Sequence, residues 1–356
     1  MLIDVLRNFD YSRYDVDLCL INKGGILMGE IPEGVKTFWL WDGYTPGYKA
    51  AYRLSLRWGW HWPLRRKLRR IKTDYNVAIS FLEGMPLRMH SLMDTGRAVD
   101  ATWVHCDLLR FPYEVSQFRP GEELRAYNRM DHIVCVAADT AKAFRERFEG
   151  CTAPVEVIYN PIDSAKILRM AEEAQVSYTR PTVAIVGRLT PQKKPLRVVS
   201  LAARLKASGR SDVNLLMIGR GELQAELETA IEEQGVGDMV ELVGFKSNPF
   251  PMIKAADMLL SCSGFEGFSL VICEAMLLGV PVVSTRTAGP LELLDNDEYG
   301  LLCDHDDESI FNAVCRMLDS ADLRRHYAAR GKERVKEFEA SRCLEQIYKL
   351  AESNEA

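Results

Sequence analysis

The sequence predicts an α/β protein of two domains, each built on a parallel sheet. Three observations carry that expectation. The chain has 356 residues, enough for two cores of ordinary size. From residue 182 onward, short apolar runs alternate with helix-patterned segments, as in sheets joined by crossover helices. Residues 257–285, DMLLSCSGFEGFSLVICEAMLLGVPVVST, compress strand, loop, helix, turn and strand into one unit.

In that unit, residues 258–262 are an unbroken apolar run of strand length, and residues 264–267 form a glycine-bounded loop. Ser269 is placed to cap, through its hydroxyl, a helix over residues 270–278. Gly279 ends the helix in the left-handed conformation, and residues 281–284 are the next buried strand. Such a unit sets a loop and a helix N-terminus at the carboxyl edge of a parallel sheet, where open α/β proteins bind ligands. Bare N–H groups there suit a phosphate.

Two carboxylates fall in this unit. A carboxylate accepts hydrogen bonds from vicinal hydroxyls, which gives Glu266 a bound sugar and Glu274 a ribose. The alternative is an exposed loop charge and an ordinary helix-surface glutamate. The apolar Val271, Ile272, Ala275 and Met276 around Glu274 call for a partner to that acid.

Composition narrows the class. A formal net charge of -5 gives no reason to expect nucleic acid as a partner. Nine cysteines are scattered without C-x-x-C or zinc spacing, and Cys19, Cys135, Cys262 and Cys273 lie in apolar runs, a reduced, cytoplasmic pattern. No apolar run approaches the roughly 18 residues of a membrane span, and the N-terminus carries no signal-peptide pattern.

In chain order, residues 2–9 read as a helix and 16–21 as a strand. Residues 43–73 hold nine Lys/Arg and no acid, interleaved with Tyr44, Tyr48, Tyr52, Trp58, Trp60 and Trp62. Cations alternating with aromatics suit a membrane interface with anionic headgroups. The alternative is a solvated face whose tryptophans pack on the N-terminal sheet. Strands at 77–81 and 102–104 end at Glu83-Gly84 and His105, which places those residues at one sheet edge. A strand at 133–136, a helix at 141–148 and a strand at 155–159 follow, and Asn160-Pro161 breaks the chain. The hydrophilic residues 169–180 lead into the second domain.

There, strands at 182–186, 214–218 and 240–243 alternate with helices at 196–205 and 223–233. Gly187-Arg188 ends the first strand, and Lys193 and Lys194 follow in a Pro-containing loop. Cations beside the sheet edge that carries the Glu266–Ser269 loop would clamp a diphosphate; the alternative is surface charge. Gly219-Arg220-Gly221 reads as a turn into the next helix, and no complete G-x-G-x-x-G follows an N-terminal strand, which disfavours a dinucleotide oxidoreductase. Asp295-Asn296-Asp297 reads as a solvated turn rather than a metal motif, and no metal site or cofactor is expected. Gly289-Pro290 and Glu292 follow the last strand of the 257–285 unit and close the site. From residue 307 the pattern is helical, ending in an amphipathic segment at 341–351.

Glu266-Gly-Phe-Ser with Glu274 eight residues on, set between an apolar strand and GVPVV, resembles the Glu-x7-Glu signature of family 4 retaining glycosyltransferases of the GT-B fold. The similarity is to bacterial enzymes of capsule, exopolysaccharide and O-antigen assembly, and it runs from the first residues to about Asp304. The resemblance implies two Rossmann-like domains whose parallel sheets face across a cleft. Residues 1–163 would bind acceptor, residues 164–338 would bind nucleotide sugar, and residues 339–356 would cross back to the first domain. VIYNPID is similar to the family's passage between domains. The family begins one strand and one glycine-rich loop earlier, so this chain is expected to lack that strand.

The resemblance also implies roles. GRLTPQKK is similar to the diphosphate-binding segment, which assigns Gly187, Arg188 and Lys193, with Lys194 where glycine or asparagine is common. Gly267, Phe268, Ser269, Leu270 and Glu274 would bind the donor, Phe245 and Lys246 would line the base, and Glu266 would act at the sugar. His105, in TWVHCDL, is similar to a histidine beside the reacting sugar, and Glu83-Gly84 to an acceptor-side loop. The implied function is metal-independent transfer from a UDP-linked hexose or N-acetylhexosamine to a glycan or polyprenyl-diphosphate-linked acceptor. It would take place in the cytoplasm, with the protein peripheral on the inner membrane face. A nucleotide-sugar 2-epimerase would want further acids and a histidine around the sugar. A silent nucleotide-sugar-binding scaffold is the alternative outside catalysis.

Overall fold

The computed structural model describes residues 1–25, 27–109 and 117–352. It divides into two compact units, Met1–Pro161 with the chain from Ala340 onward, and Ile162–Glu339.

The first unit contains β1 (Asp17–Asn22), β2 (Lys36–Trp41), β3 (Val77–Ser80), β4 (Val99–Val104), β5 (His132–Cys135) and β6 (Val155–Val157). All pair in parallel, but in two sheets: β1 with β2, and β3-β4-β5-β6 in that order. Every residue of β4 is buried, because β3 and β5 flank it and helices cover its faces. Leu87, Val104, Leu108, Tyr127, Ile133 and Phe144 fill one core, and Leu40, Trp41, Tyr48, Ala51, Leu64 and Leu68 another. β2 is not among the expected strands, although KTFWLW is a short run rich in aromatic and β-branched residues, the composition strands favour.

The helix Pro46–Trp58 opens where Thr45 accepts from the Tyr48 N–H and Pro46 supplies a preset φ; it ends at Gly59 in the left-handed conformation. Tyr48, Ala51 and Ser55, three and four residues apart, form its buried stripe. The C-terminal helix Ala340–Glu352 completes this unit. Its Tyr348 stacks on Tyr14 at 4.9 Å, meets Phe9 edge-on at 5.1 Å and accepts from the Asp10 N–H at 2.9 Å.

The second unit contains β7 (Thr182–Val186), β8 (Asn214–Ile218), β9 (Val240–Gly244), β10 (Met258–Ser261), β11 (Val282–Thr285) and β12 (Leu301–Cys303). They form one parallel sheet in the order β12-β11-β10-β7-β8-β9. The chain builds outward from β7 through β8 to β9, then returns to add β10 on the other side of β7. The strand order therefore reverses between β7 and β10. Ile162 and Glu339 pair as a parallel bridge, and the Ile162 N–H donates to the Phe338 carbonyl at 2.8 Å.

One expectation is corrected here. The hydrophilic stretch opening at Arg169 begins inside a helix, Ser164–Ala171, rather than a linker. Asp163 caps it by accepting from the Lys166 N–H, and Ile167 and Ala171, one turn apart, bury its inner face. Among the described residues no helix is long and apolar enough to cross a membrane. None of the nine cysteines is in a disulfide, and burial pushes the Cys19 thiol up to about 11 and the Cys135 and Cys262 thiols up to about 12.

Candidate active site

In the second unit all strands run the same way, so their carboxyl ends share one edge. The reversal of order between β7 and β10 opens a crevice at that edge, the usual ligand position in open α/β sheets. Gly187 and Arg188 leave β7 directly into it. Lys193 sits on a short 3₁₀ turn, Pro191–Lys193, and Glu266 lies in the loop after β10. Lys193 Nζ stands 2.5 Å from Glu266 Oε2, and Ser263 Oγ donates to the same oxygen at 3.1 Å. The two loops are also joined through their backbones. The Gly264 N–H donates to the Gln192 carbonyl at 2.8 Å, and Gln192 Nε2 to the Phe265 carbonyl at 3.2 Å. Arg188 is exposed, and no described residue pairs with its guanidinium.

Lys194 follows in the left-handed conformation, φ 49° and ψ 47°. That conformation is the physical reason glycine or asparagine suits this position.

Gly219-Arg220-Gly221 does more than turn the chain. A Cβ on Gly219 would lie 1.8 Å from the Gly187 carbonyl oxygen, and one on Gly221 would lie 2.2 Å from that of Leu189. The Leu189 N–H donates to the Arg220 carbonyl at 3.1 Å, and Leu223 N–H returns a bond to Leu189 at 3.0 Å. The two glycines thus let the turn after β8 press on the backbone that carries Arg188. Gly289 plays the same part after β11: its Cβ would lie 2.9 Å from Phe268 Cα, and its N–H donates to the Glu266 carbonyl at 2.9 Å. Local sequence shows the glycines but not the chains they touch.

The helix Leu270–Leu278 begins and ends where the sequence places it, with Gly279 at φ 75°. Ser269 occupies the cap position, but its hydroxyl makes no capping bond. Ser320, at the same ψ of 99°, does cap its own helix by accepting from the Leu323 N–H, so it is the direction taken by its hydroxyl, not its reach, that leaves the first-turn N–H groups after Ser269 without a side-chain acceptor. Phe268 is buried edge-on against Phe338 at 5.4 Å, so it anchors the loop with its ring and offers the site only backbone. Gly267 and Leu270 flank it, half-buried. Glu274 is half-buried about 6 Å along the helix axis from Leu270.

Phe245, 62% exposed, and the exposed Lys246 follow β9, two strands or about 10 Å across the sheet from β7. Ser263, whose hydroxyl shares Glu266 with Lys193, went unnoticed in the sequence. Its carbonyl accepts from Thr285 Oγ1 at 2.7 Å, and only that fold-dependent pairing marks it out.

In the first unit, β3 and β4 bring Glu83 and His105 together. The His105 N–H donates to Glu83 Oε2 at 2.9 Å, and His105 Nε2 lies 3.1 Å from the Phe81 carbonyl. A carbonyl only accepts, so Nε2 carries the proton and the neutral ring keeps Nδ1 as an acceptor. Burial lowers the imidazole below its ordinary 6.5, against the opposing pull of the Glu83 charge and the Phe81 bond. Gly84, at φ 73°, turns the chain into the helix Met85–Ser91.

Asp295-Asn296-Asp297 is a left-handed turn with φ of 40°, 51° and 76°. Asp297 spends its carboxylate on the Leu302 N–H and Arg286. Among the described residues no three His, Cys, Asp or Glu gather as metal ligands.

Comparison with known proteins agrees with this architecture. Residues 169–334 match the family model Glycosyl transferases group 1. The chain is 32% identical over 215 residues to an N-acetylgalactosamine-N,N'-diacetylbacillosaminyl-diphospho-undecaprenol 4-alpha-N-acetylgalactosaminyltransferase of Campylobacter jejuni, covering 60% of this chain but only 58% of that protein. A second Campylobacter jejuni relative is a GalNAc-alpha-(1->4)-GalNAc-alpha-(1->3)-diNAcBac-PP-undecaprenol alpha-1,4-N-acetyl-D-galactosaminyltransferase. It is 24% identical over 310 residues, 84% of this chain and 80% of its own. Among solved structures, Anabaena HepE in complex with UDP superposes with a TM-score of 0.75 at 20% identity, over 99% of this chain and 95% of that one. The fold is therefore GT-B, and the similarity to group 1 glycosyl transferases lies in residues 169–334, within the second unit.

Proposed function

We propose that the protein is a retaining glycosyltransferase of family 4 that uses a nucleotide sugar, UDP-linked, and acts in bacterial cell-surface polysaccharide synthesis. The observation that carries this reading is the Lys193–Glu266 pair, which sets a cation and an acid together at the reversal between β7 and β10. The relatives named for transfer of N-acetylgalactosamine to undecaprenol-linked glycans support a hexose or N-acetylhexosamine donor and a polyprenyl-diphosphate-linked acceptor. The protein would then work peripherally on the inner membrane face.

In this reading the second unit binds donor and the first binds acceptor. Phe245 and Lys246 line the base, Glu274 accepts from the ribose hydroxyls, and Glu266 accepts from the sugar. Arg188, Lys193 and the N–H groups from Gly267 to Leu270 stabilise the diphosphate as it leaves. The bond from the anomeric carbon to the diphosphate breaks while the acceptor hydroxyl forms the new one on the same face. The acceptor proton passes to a diphosphate oxygen. No protein nucleophile is needed. His105 Nδ1 accepts from a substrate hydroxyl, and the turn at Glu83-Gly84 shapes the acceptor side.

Purified protein incubated with labelled nucleotide sugars and polyprenyl-diphosphate glycans tests this. Acceptor-dependent release of nucleoside diphosphate with a new α-linked product is expected. Donor isomerised without acceptor, or donor bound and left unchanged, would refute it.

A further inference from the structure

We propose that the turn carrying Trp58, Trp60 and Trp62 docks the protein on an anionic lipid surface. The three side chains are 61%, 67% and 63% exposed, and Tyr44 is 73% exposed. Large aromatics are rarely left so open without an occupant. The sequence left room for these tryptophans to pack on the sheet; they do not.

Their surroundings specify what covers them. Lys49, Arg53, Arg57, Arg65, Arg66, Arg69, Arg70 and Lys72 are exposed on the same two helices and the turn that follows, with no acid between residues 43 and 73, in a chain of net charge -5. Indole rings belong at the boundary between headgroups and acyl chains, and guanidinium groups belong among anionic headgroups. Arg57 lies over the Trp58 ring at 5.5 Å and Arg66 over Trp62 at 5.6 Å, so each guanidinium covers a ring face on which a nucleic-acid base would stack. A lipid surface fits this arrangement better than a single strand of nucleic acid.

The turn is held from beneath. Gly59, at φ 70°, lets its own N–H reach the Ser55 carbonyl at 3.1 Å and the Trp60 N–H reach Leu54 at 3.3 Å. Fully buried Ser55 pairs through Oγ with His61 Nδ1 at 2.8 Å and accepts from Arg88 Nη2 at 2.9 Å. Arg88 in turn binds Glu122 at 3.1 Å. The indoles are thus mounted on a fixed base, so little ordering remains to be done on contact. For the identity of the membrane the proposal rests on the lipid-linked acceptor; lipid binding itself is read without any sugar.

The test is flotation with phosphatidylcholine vesicles, with and without phosphatidylglycerol, combined with quenching of tryptophan fluorescence by brominated lipid. Wild-type protein should float with the anionic vesicles and be quenched. The Trp58→Ala/Trp60→Ala/Trp62→Ala variant should keep its circular dichroism and lose both signals. Each cation removed among Arg65, Arg66, Arg69 and Arg70 should weaken binding about fivefold. Absence of wild-type flotation, wild-type binding by the triple variant, or binding to nucleic acid in place of vesicles would overturn the proposal. Vesicle binding without sugar transfer would leave it standing and remove the proposed function. Transfer to a soluble acceptor without vesicle binding would do the reverse.

Discussion

Lys193 and Glu266 lie 73 residues apart in sequence and 2.5 Å apart in space, one on each side of the reversal in strand order. Glu266 is also held by Ser263, so the acid fixes the lysine at the crevice rather than leaving it to sample solvent. Arg188 has no such tether among the described residues. The two cations are therefore placed by different means, and their substitution should separate chemistry from stability.

Arg188→Ala and Lys193→Ala should each lower turnover of a nucleotide sugar by about 10²–10³, the usual cost of removing one donor to developing charge. Exposed Arg188 should cost no more than about 0.5 kcal/mol of stability when removed. Steady-state rates beside urea denaturation check both parts, and near-normal turnover of either variant would sink the assignment.

Gly219→Ala should destabilise the protein by about 1–3 kcal/mol, because the added methyl meets the Gly187 carbonyl oxygen at 1.8 Å and backbone must move. The same shift displaces Arg188, so the residual folded enzyme should also be slow. Denaturation midpoints and rates measured together distinguish this from a purely structural effect.

His105 should titrate below 6.5 in NMR spectra and remain the Nε2-protonated tautomer at neutral pH. Glu83→Gln removes the charge that opposes burial and should lower the midpoint further. Because the folded state disfavours the charged ring, its contribution to stability is complete above 6.5. It is lost as pH falls from there through the folded-state midpoint. A midpoint above 6.5 would contradict the buried, neutral ring.

Tyr348→Ala should cost about 3–5 kcal/mol, the usual range for deleting a buried aromatic. Tyr348 is 5% exposed, packs against Tyr14 and Phe9, and accepts from the Asp10 N–H. Tyr348→Phe removes only the last of these and should cost about 1 kcal/mol. Chemical denaturation of the two variants gives the difference.

The second unit was legible because its signals are local. An apolar run before Gly264, a helix stopped by Gly279 and a strand after Pro281 are each written within a few residues. The helix Ser164–Ala171 was missed because its polar face outweighs it in composition; Asp163 followed by Ile167 and Ala171 at helical spacing was the signal available. Ser269 was read as a hydroxyl cap from its position alone, which cannot show the direction its hydroxyl takes. The contacts of Gly219, Gly221 and Gly289, and the part of Ser263, depend on partners far along the chain. Residue type can suggest such contacts but not aim them.

The division at Pro161 and Glu339 has a further consequence for synthesis. The segment Ile162–Glu339 is continuous and closes on itself through the Ile162–Glu339 bridge, so it can fold as soon as it clears the ribosome. Phe9 and Tyr14 meet each other at 5.7 Å, but neither can meet Tyr348 until after that segment has been made. The first unit thus completes its aromatic cluster only after the residues of the second unit have been made, and those rings are the surface a chaperone would meet meanwhile.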